Sequence, residues 1–287
     1  MGKIIALANQ KGGVGKTTSA INLAASLATA EQPTLLLDVD PQGNASSGFG
    51  IDAHKLDKTI YEVLVEDLPL NEAIMRTELG YLDIIPSNMN LYGAEPELKE
   101  RGNRVFVLSK ALEQAKKKYS YIILDCPPNL GFLTLNALIA SDSVIIPVQC
   151  EYYALEGLRR LLKTIFDIQQ SANKKLQLEG ILLTMHDSRL KLSNLVISEV
   201  RRYLGNKVFD TVISRNVKLS EAPSHGKPVI LYDALSIGTK NYLDLASEIM
   251  RNAELAIEKS TLEENVVSIE NLPESVTSLL IDKKENS

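Results

Sequence analysis

The sequence predicts an α/β fold: a doubly wound, mostly parallel sheet with helices on both faces. Three observations predict it. Five short runs, Ile4–Ala8, Thr34–Asp38, Tyr121–Asp125, Val144–Val148 and Gly180–Thr184, are apolar without alternation, as strands covered on both faces must be. Between them lie stretches of helical spacing, Thr17–Thr29, Arg104–Lys118, Leu155–Gln169 and Leu195–Leu204. The first run opens through a glycine-rich loop straight into a helical pattern, and ligand chemistry in such folds sits at the carboxyl ends of strands.

The first element carries the most information. After the run Ile4–Ala8 comes Asn9-Gln10-Lys11-Gly12-Gly13-Val14-Gly15-Lys16-Thr17-Thr18, and the helical segment Ser19–Leu27 follows at once. Strand, glycine loop and helix in that order aim backbone N–H groups and the positive end of a helix dipole at one point, where a polyphosphate is held without side chains. Lys16 then reaches the β- and γ-phosphates, and the Thr17 hydroxyl ligates Mg²⁺. The general P-loop pattern has Gly where this chain has Gln10. Lys11, at the mouth of the loop, is poorly placed to curl onto its own nucleotide but can reach phosphates on a facing copy, which implies a nucleotide sandwiched between two subunits.

The second and third runs end in carboxylates. Asp125 closes Tyr-Ile-Ile-Leu, the place of an acid that holds Mg²⁺ directly or through water, although a helix cap or turn would also use an Asp there. Asp38 and Asp40 precede Pro-Gln-Gly-Asn, a turn that favours Asp for local reasons of its own. The region from Asp52 to Asp83 yields no more than a helix or two.

Composition bounds the rest. The 287 residues are 45% hydrophobic and 23% charged, values that exclude disorder, collagen and coiled coil. Two cysteines, Cys126 and Cys150, cannot form a disulfide framework and suit a reducing cytoplasm. The three histidines, His54, His186 and His225, show no ligand spacing. No signal peptide is expected, and the apolar stretch Leu130–Val148 is interrupted by Asn136, Ser141, Asp142 and Ser143. The net charge of -5 is uneven: residues 255–287 hold seven acids and three lysines, whereas Leu155–Ile230 holds thirteen Lys or Arg against seven Asp or Glu. That pattern points to a polyanion-binding surface, with ordinary solvated charge as the alternative. Residues 1–254 are expected to form one domain and 255–287 an acidic tail containing Pro273 and an apolar patch, Val276–Ile281.

Lys11 to Thr18 resembles the deviant Walker A box of the ParA/MinD branch of P-loop NTPases, in its chromosomal ParA (Soj) form. The resemblance extends through Asp38–Asn44, Tyr121–Pro128, Pro147–Gly157 and Arg215–Pro228. It implies an ATPase that uses ATP and Mg²⁺, forms a homodimer when ATP-bound, binds DNA without sequence preference and is stimulated by a ParB/Spo0J-type centromere-binding partner in chromosome or plasmid segregation. A cytoplasmic, nucleoid-associated location without stable membrane anchoring follows, and a link to replication initiation is suggested. By the same resemblance Lys11, Lys16 and Asp40 are catalytic, with Asp40 orienting the attacking water. Gly12, Gly13, Val14, Gly15, Thr17 and Thr18 complete the nucleotide loop, and Gly12 marks the closest approach of two subunits. Asn216 and Ser214 serve the adenine, although many members carry Pro at the latter position. Thr17, Asp125 and Asp38 face the metal.

Arg189 and Lys218 match DNA-contacting positions, with Arg160, Lys191, Arg201 and Arg202 as further candidates. Lys at 218 keeps the charge of the family's Arg without its planar fork. Two other outputs of the superfamily remain open at this point. A MinD-like membrane switch would need a basic amphipathic C-terminal helix, whereas this tail is acidic. A nitrogenase iron-protein type would use Cys126 and Cys150 for a cluster, though both fit small buried hydrophobes.

Overall fold

The computed structural model describes residues 2–151 and 154–260. Over these residues one sheet contains eight strands: β1 (Lys3–Leu7), β2 (Thr34–Asp38), β3 (Met75–Arg76), β4 (Leu82–Ile85), β5 (Tyr121–Asp125), β6 (Ser143–Gln149), β7 (Gln177–His186) and β8 (Val208–Ser214). Their order across the sheet is β3-β4-β2-β5-β1-β6-β7-β8. Every neighbouring pair is parallel except β3–β4, which closes one edge antiparallel.

The unbroken apolar texture of the strands has its cause in two cores. Along β1, Ile4 and Ala6 point into one and Ile5 and Leu7 into the other. Helices Lys16–Thr29 and Ile237–Ser260 cover one face through Leu23, Leu27, Tyr242 and Leu245. Helices Val107–Leu112, Phe132–Ala140, Ala154–Ser171 and Lys191–Leu204 cover the other through Leu108, Ala137, Leu161 and Val200.

Three elements depart from the sequence expectation. The segment Arg104–Lys118 is a turn, Arg104–Phe106, and two short helices, Val107–Leu112 and Ala115–Lys118. Backbone bonds from Glu113 to Lys110 and from Lys117 to Gln114 span three residues and tighten the chain there. Strand β8 escaped notice because it carries no continuous apolar run: Asp210 is exposed and Thr211 and Val212 are half-buried. The β3–β4 edge is too short to announce itself.

Register places the chemistry. Leu7 and Asp38 both lie opposite Asp125 in the ladder, so β1, β5 and β2 end side by side at the carboxyl edge. The helix Ile237–Ser260 runs past the expected boundary at 254, and residues 261–287, with Val276–Ile281, lie outside the described residues.

Candidate active site

The loop after β1 is held open by its glycines and by neighbours from distant strands. Gly13 (φ +71°) and Gly15 (φ +88°) occupy the left-handed region, which costs other residues about 1–2 kcal/mol. Gly15 starts the helix Lys16–Thr29 without any side-chain cap, so the amides of the first turn are available to an anion. Asn9 pins the base of the loop: its Nδ2 donates to the Pro147 carbonyl (2.7 Å) and its Oδ1 accepts from the Lys11 N–H (3.0 Å). Thr184, at the end of β7, donates its hydroxyl to the Val14 carbonyl at 2.8 Å.

Inside this cradle Lys16 is buried, and its Nζ donates to the Lys11 carbonyl oxygen at 3.3 Å. Burial lowers its pKa, while the neighbouring Asp125 and Asp40 oppose that shift. Asp125 is fully buried, and among the described residues neither of its carboxylate oxygens accepts a hydrogen bond. Its pKa is driven well up by burial and by Asp38, with the Lys16 charge pulling the other way. Asp38 is also fully buried but hydrogen-bonded: its Oδ2 accepts from Ser46 N (2.8 Å) and Ser46 Oγ (2.7 Å), while among the described residues its Oδ1 accepts only from Asp40 N (3.2 Å) and keeps a free lone pair. Burial still pushes its carboxyl up to about 7. Asp40 holds the turn through Oδ1, which accepts from the Gln42 N–H at 3.0 Å.

The structure thus gathers Lys16, Thr17, Asp38, Asp40 and Asp125 at one strand edge. The orphaned oxygens of Asp125 have the Asp38 and Asp40 carboxylates and the Thr17 hydroxyl near them, hard oxygen donors whose chemistry fits a divalent cation such as Mg²⁺. Lys11 lies outside the cradle: its side chain is 42% exposed and its Nζ sits 3.6 Å from Glu151 Oε2. Gly12 is exposed with nothing within 4 Å of a Cβ built on it, so no contact inside the described chain requires glycine there.

Ser214 and Asn216 share the same edge, three strands across from β1. Ser214 pairs with His186 at the end of β7, the strand whose Thr184 braces the loop. Asn216 caps the short helix Val217–Glu221, its Oδ1 accepting from the Lys218 N–H (2.8 Å), which leaves the amide N–H₂ as the group a base would meet. Arg189 and Lys218 follow the ends of the adjacent strands β7 and β8, and each is held by an acid. Arg189 donates from Nε and Nη2 to Asp187 (2.9 and 2.7 Å), and Lys218 Nζ donates to Glu221 at 3.0 Å. That pairing holds the Asp187 carboxyl down at about 2. Arg201 and Arg202 are likewise engaged, with the Asp210 carbonyl and with Glu199; Arg160 and Lys191 are exposed.

Sequence reasoning missed Asn9, Thr184, Ser46, Glu151 and Asp187. Each acts on a group far along the chain or on a site residue through a common polar contact, and only Asn9, next to the glycine loop, stood where a search would have found it. Cys126 and Cys150 are buried free thiols; burial raises both pKa values, that of Cys150 to about 11.

A family model described as an AAA domain matches residues 2–178. The chromosome partitioning protein ParA of Myxococcus xanthus is 56% identical over 251 residues, 88% of this chain and 89% of that protein. The sporulation initiation inhibitor protein Soj of Bacillus subtilis is 56% identical over 252 residues, 88% of this chain and 100% of its own. Among solved structures, cobyrinic acid a,c-diamide synthase from Mycobacterium smegmatis with bound ADP and magnesium superposes with a TM-score of 0.80 at 36% identity, covering 89% of this chain and 97% of that one.

Proposed function

The chain belongs to the ParA/Soj family of chromosome-partitioning ATPases, and from that premise we propose that it works as an ATP-gated DNA clamp assembled from two copies. The observation that carries the reading is the contrast at the loop: Lys16 turns inward to its own cradle, while Lys11 stands outside beside a Gly12 for which the described residues show no use. A facing copy supplies the use. Its loop approaches at Gly12, and Lys11 reaches across to the partner's triphosphate.

In each copy the first-turn amides and Lys16 hold the β- and γ-phosphates, while Ser214 and Asn216 meet the adenine. Thr17, Asp125 and Asp38 would hold Mg²⁺, which when bound neutralises charge on the phosphate oxygens. Asp40 orients the attacking water; its Oδ1 is engaged by Gln42, so Oδ2 is the oxygen that accepts from the water. Lys16 and the partner's Lys11 share the charge that develops on the transferred phosphoryl group, so hydrolysis waits for dimerisation.

The output is non-specific DNA binding through Arg189 and Lys218, supported by the basic balance of Leu155–Ile230. Their present partners, Asp187 and Glu221, hold the two cations where a DNA phosphate would take the acid's place. A ParB/Spo0J-type protein stimulates hydrolysis and releases the clamp, which places the protein on the nucleoid. No described helix is long and apolar enough to cross a membrane. The same reading takes residues 1–254 as the ATPase unit and 255–287 as an appended acidic tail.

A DNA-retention assay with ATP, ADP or no nucleotide tests this, with Arg189→Ala alongside. Retention is expected with ATP only and is expected to be weakened in the variant. With about four phosphates neutralised per dimer, affinity drops roughly a hundredfold between 50 and 200 mM salt. Equal retention in ADP, or no salt response, overturns the proposal.

A further inference from the structure

The edge of the sheet opposite the nucleotide loop carries two adjoining grooves that the ATPase reading leaves unused. The first, about 800 Å³, runs along the starts of β1, β5 and β7 and is lined by Lys3, Lys116, Lys117 and Lys118. The second, about 970 Å³, lies beside the β3–β4 edge, with Leu68, Ile74, Phe106 and Ala111 along it and Arg76 and Lys110 among its charged groups. Lys118 and Tyr119 line both, so the two grooves meet at these residues.

Their charge is only partly spent. Lys3 pairs with Glu179, Lys116 with Asp142, Lys118 with Asp83 and Arg101 with Asp67. Among the described residues Arg76, Lys110 and Lys117 have no ion-pair partner, and all three are exposed. A net cationic channel with an apolar floor asks for an acidic segment that contains an apolar run.

Such a segment belongs to this chain and starts beside the channel. Ala253 of the helix Ile237–Ser260 lines the lysine groove, and the helix ends seven residues later, about 10 Å further on. The 27 residues from Thr261 to Ser287 hold six carboxylates against two lysines, and among them is Val276–Ile281 with Val276, Leu279, Leu280 and Ile281. Fifteen residues separate Ser260 from Val276, a reach of up to about 50 Å. That exceeds the width of an eight-stranded sheet, about 35 Å.

We propose that residues 261–287 dock on this channel of their own chain, the carboxylates over Lys117 and Lys110 and Val276–Ile281 against Phe106, Ile74 and Leu68. The docked tail keeps its negative charge at the amino edge, away from the basic residues that follow β7 and β8. The inference stands apart from the ATPase reading, since no residue of the cradle takes part.

The test uses the full-length chain with Ser278→Cys carrying a nitroxide label; Cys126 and Cys150 are buried and leave the new thiol as the reactive one. Amide signals of Phe106, Lys110 and Lys117 are expected to broaden away, with those of Gly12 and Arg189 retained. The double variant Lys110→Glu/Lys117→Glu, at exposed positions, restores the broadened signals, as does high salt. Three results overturn the proposal: no broadening in the channel, broadening at Arg189 instead, or broadening of unlabelled chains mixed with labelled ones, which would mean that a second copy is the occupant.

Discussion

The ammonium of Lys16 lies 3.3 Å from the carbonyl oxygen of Lys11, so the inner lysine closes the loop on the backbone of the outer one. The outer side chain leaves in another direction, to Glu151. In the proposed clamp these two lysines, five residues apart, have different clients: Lys16 the phosphates of its own copy, and Lys11 those of the facing copy. The division predicts separable defects. Lys16→Ala loses nucleotide binding itself. Lys11→Ala keeps binding by the single chain but loses the partner's cation at the transition state, a role worth about 10³-fold or more where an arginine plays it. Nucleotide titration by fluorescence and steady-state phosphate release separate the two; equal loss of binding in both variants contradicts the assignment.

Gly12→Val is expected to leave the fold untouched and to abolish ATP-dependent dimerisation. The position is exposed, is not in the left-handed region and has open space, so stability changes by no more than about 0.5 kcal/mol. Gly226 sets the contrast, since an added Cβ there would lie 2.7 Å from the Gly50 Cα. Chemical denaturation should therefore leave Gly12→Val at the parent midpoint and move Gly226→Ala to a lower one.

The Asp38 carboxyl, pushed up to about 7 by burial from 3.8, makes the metal-free protein lose stability as pH rises. The folded chain keeps a proton that the unfolded chain releases, so this contribution is fully present below 3.8, falls away through the interval up to about 7 and is flat above it. Asp38→Asn removes the Asp38 share of that slope and leaves the share of Asp125, which burial also drives up, at the cost of an acceptor for one of the three donors now facing Asp38. With Mg²⁺ and nucleotide the trend reverses, because cation binding needs the deprotonated oxygens. Thermal melts in EDTA from pH 4 to 8 check the first statement, and their repetition with Mg–nucleotide checks the second.

Asp187 holds both Arg189 nitrogens that the proposed function gives to DNA, so the acid would compete with DNA for this guanidinium. Asp187→Asn frees the guanidinium and strengthens DNA retention several-fold. Arg189→Ala weakens retention on all sequences alike, and the slope of log affinity against log salt falls by about 1 for each DNA phosphate no longer neutralised. Binding isotherms at three salt concentrations read both effects. A variant at Arg189 that changed sequence preference would point to base recognition instead.

How far the sequence told this depends on how local each feature is. The glycine loop was legible because Gly13, Gly15, Lys16 and Thr17 act through their own backbone and a short reach, and Asp125 and Asp38 because each ends an apolar run, although local turn or cap preferences would also have put an Asp there. The braces were hidden. Thr184 reaches the Val14 carbonyl across 170 positions of sequence, and Ser46 tunes Asp38 from a helix that looked like turn residues. Edge strands failed for a related reason: β8 exposes Asp210 on one side, so its texture is that of a half-covered surface. The roles of Arg189 and Lys218 came from resemblance, and the acids that hold them, Asp187 and Glu221, emerged only in three dimensions.

The mass of the nucleotide-loaded protein in solution tests the account most directly. Light scattering on the size-exclusion peak should give twice 31.6 kDa with a slowly hydrolysed ATP analogue and Mg²⁺, and 31.6 kDa with ADP. Lys11→Ala and Gly12→Val should both stay at the lower mass. A wild-type chain that binds the analogue yet remains at 31.6 kDa would contradict the clamp and the role given to Lys11.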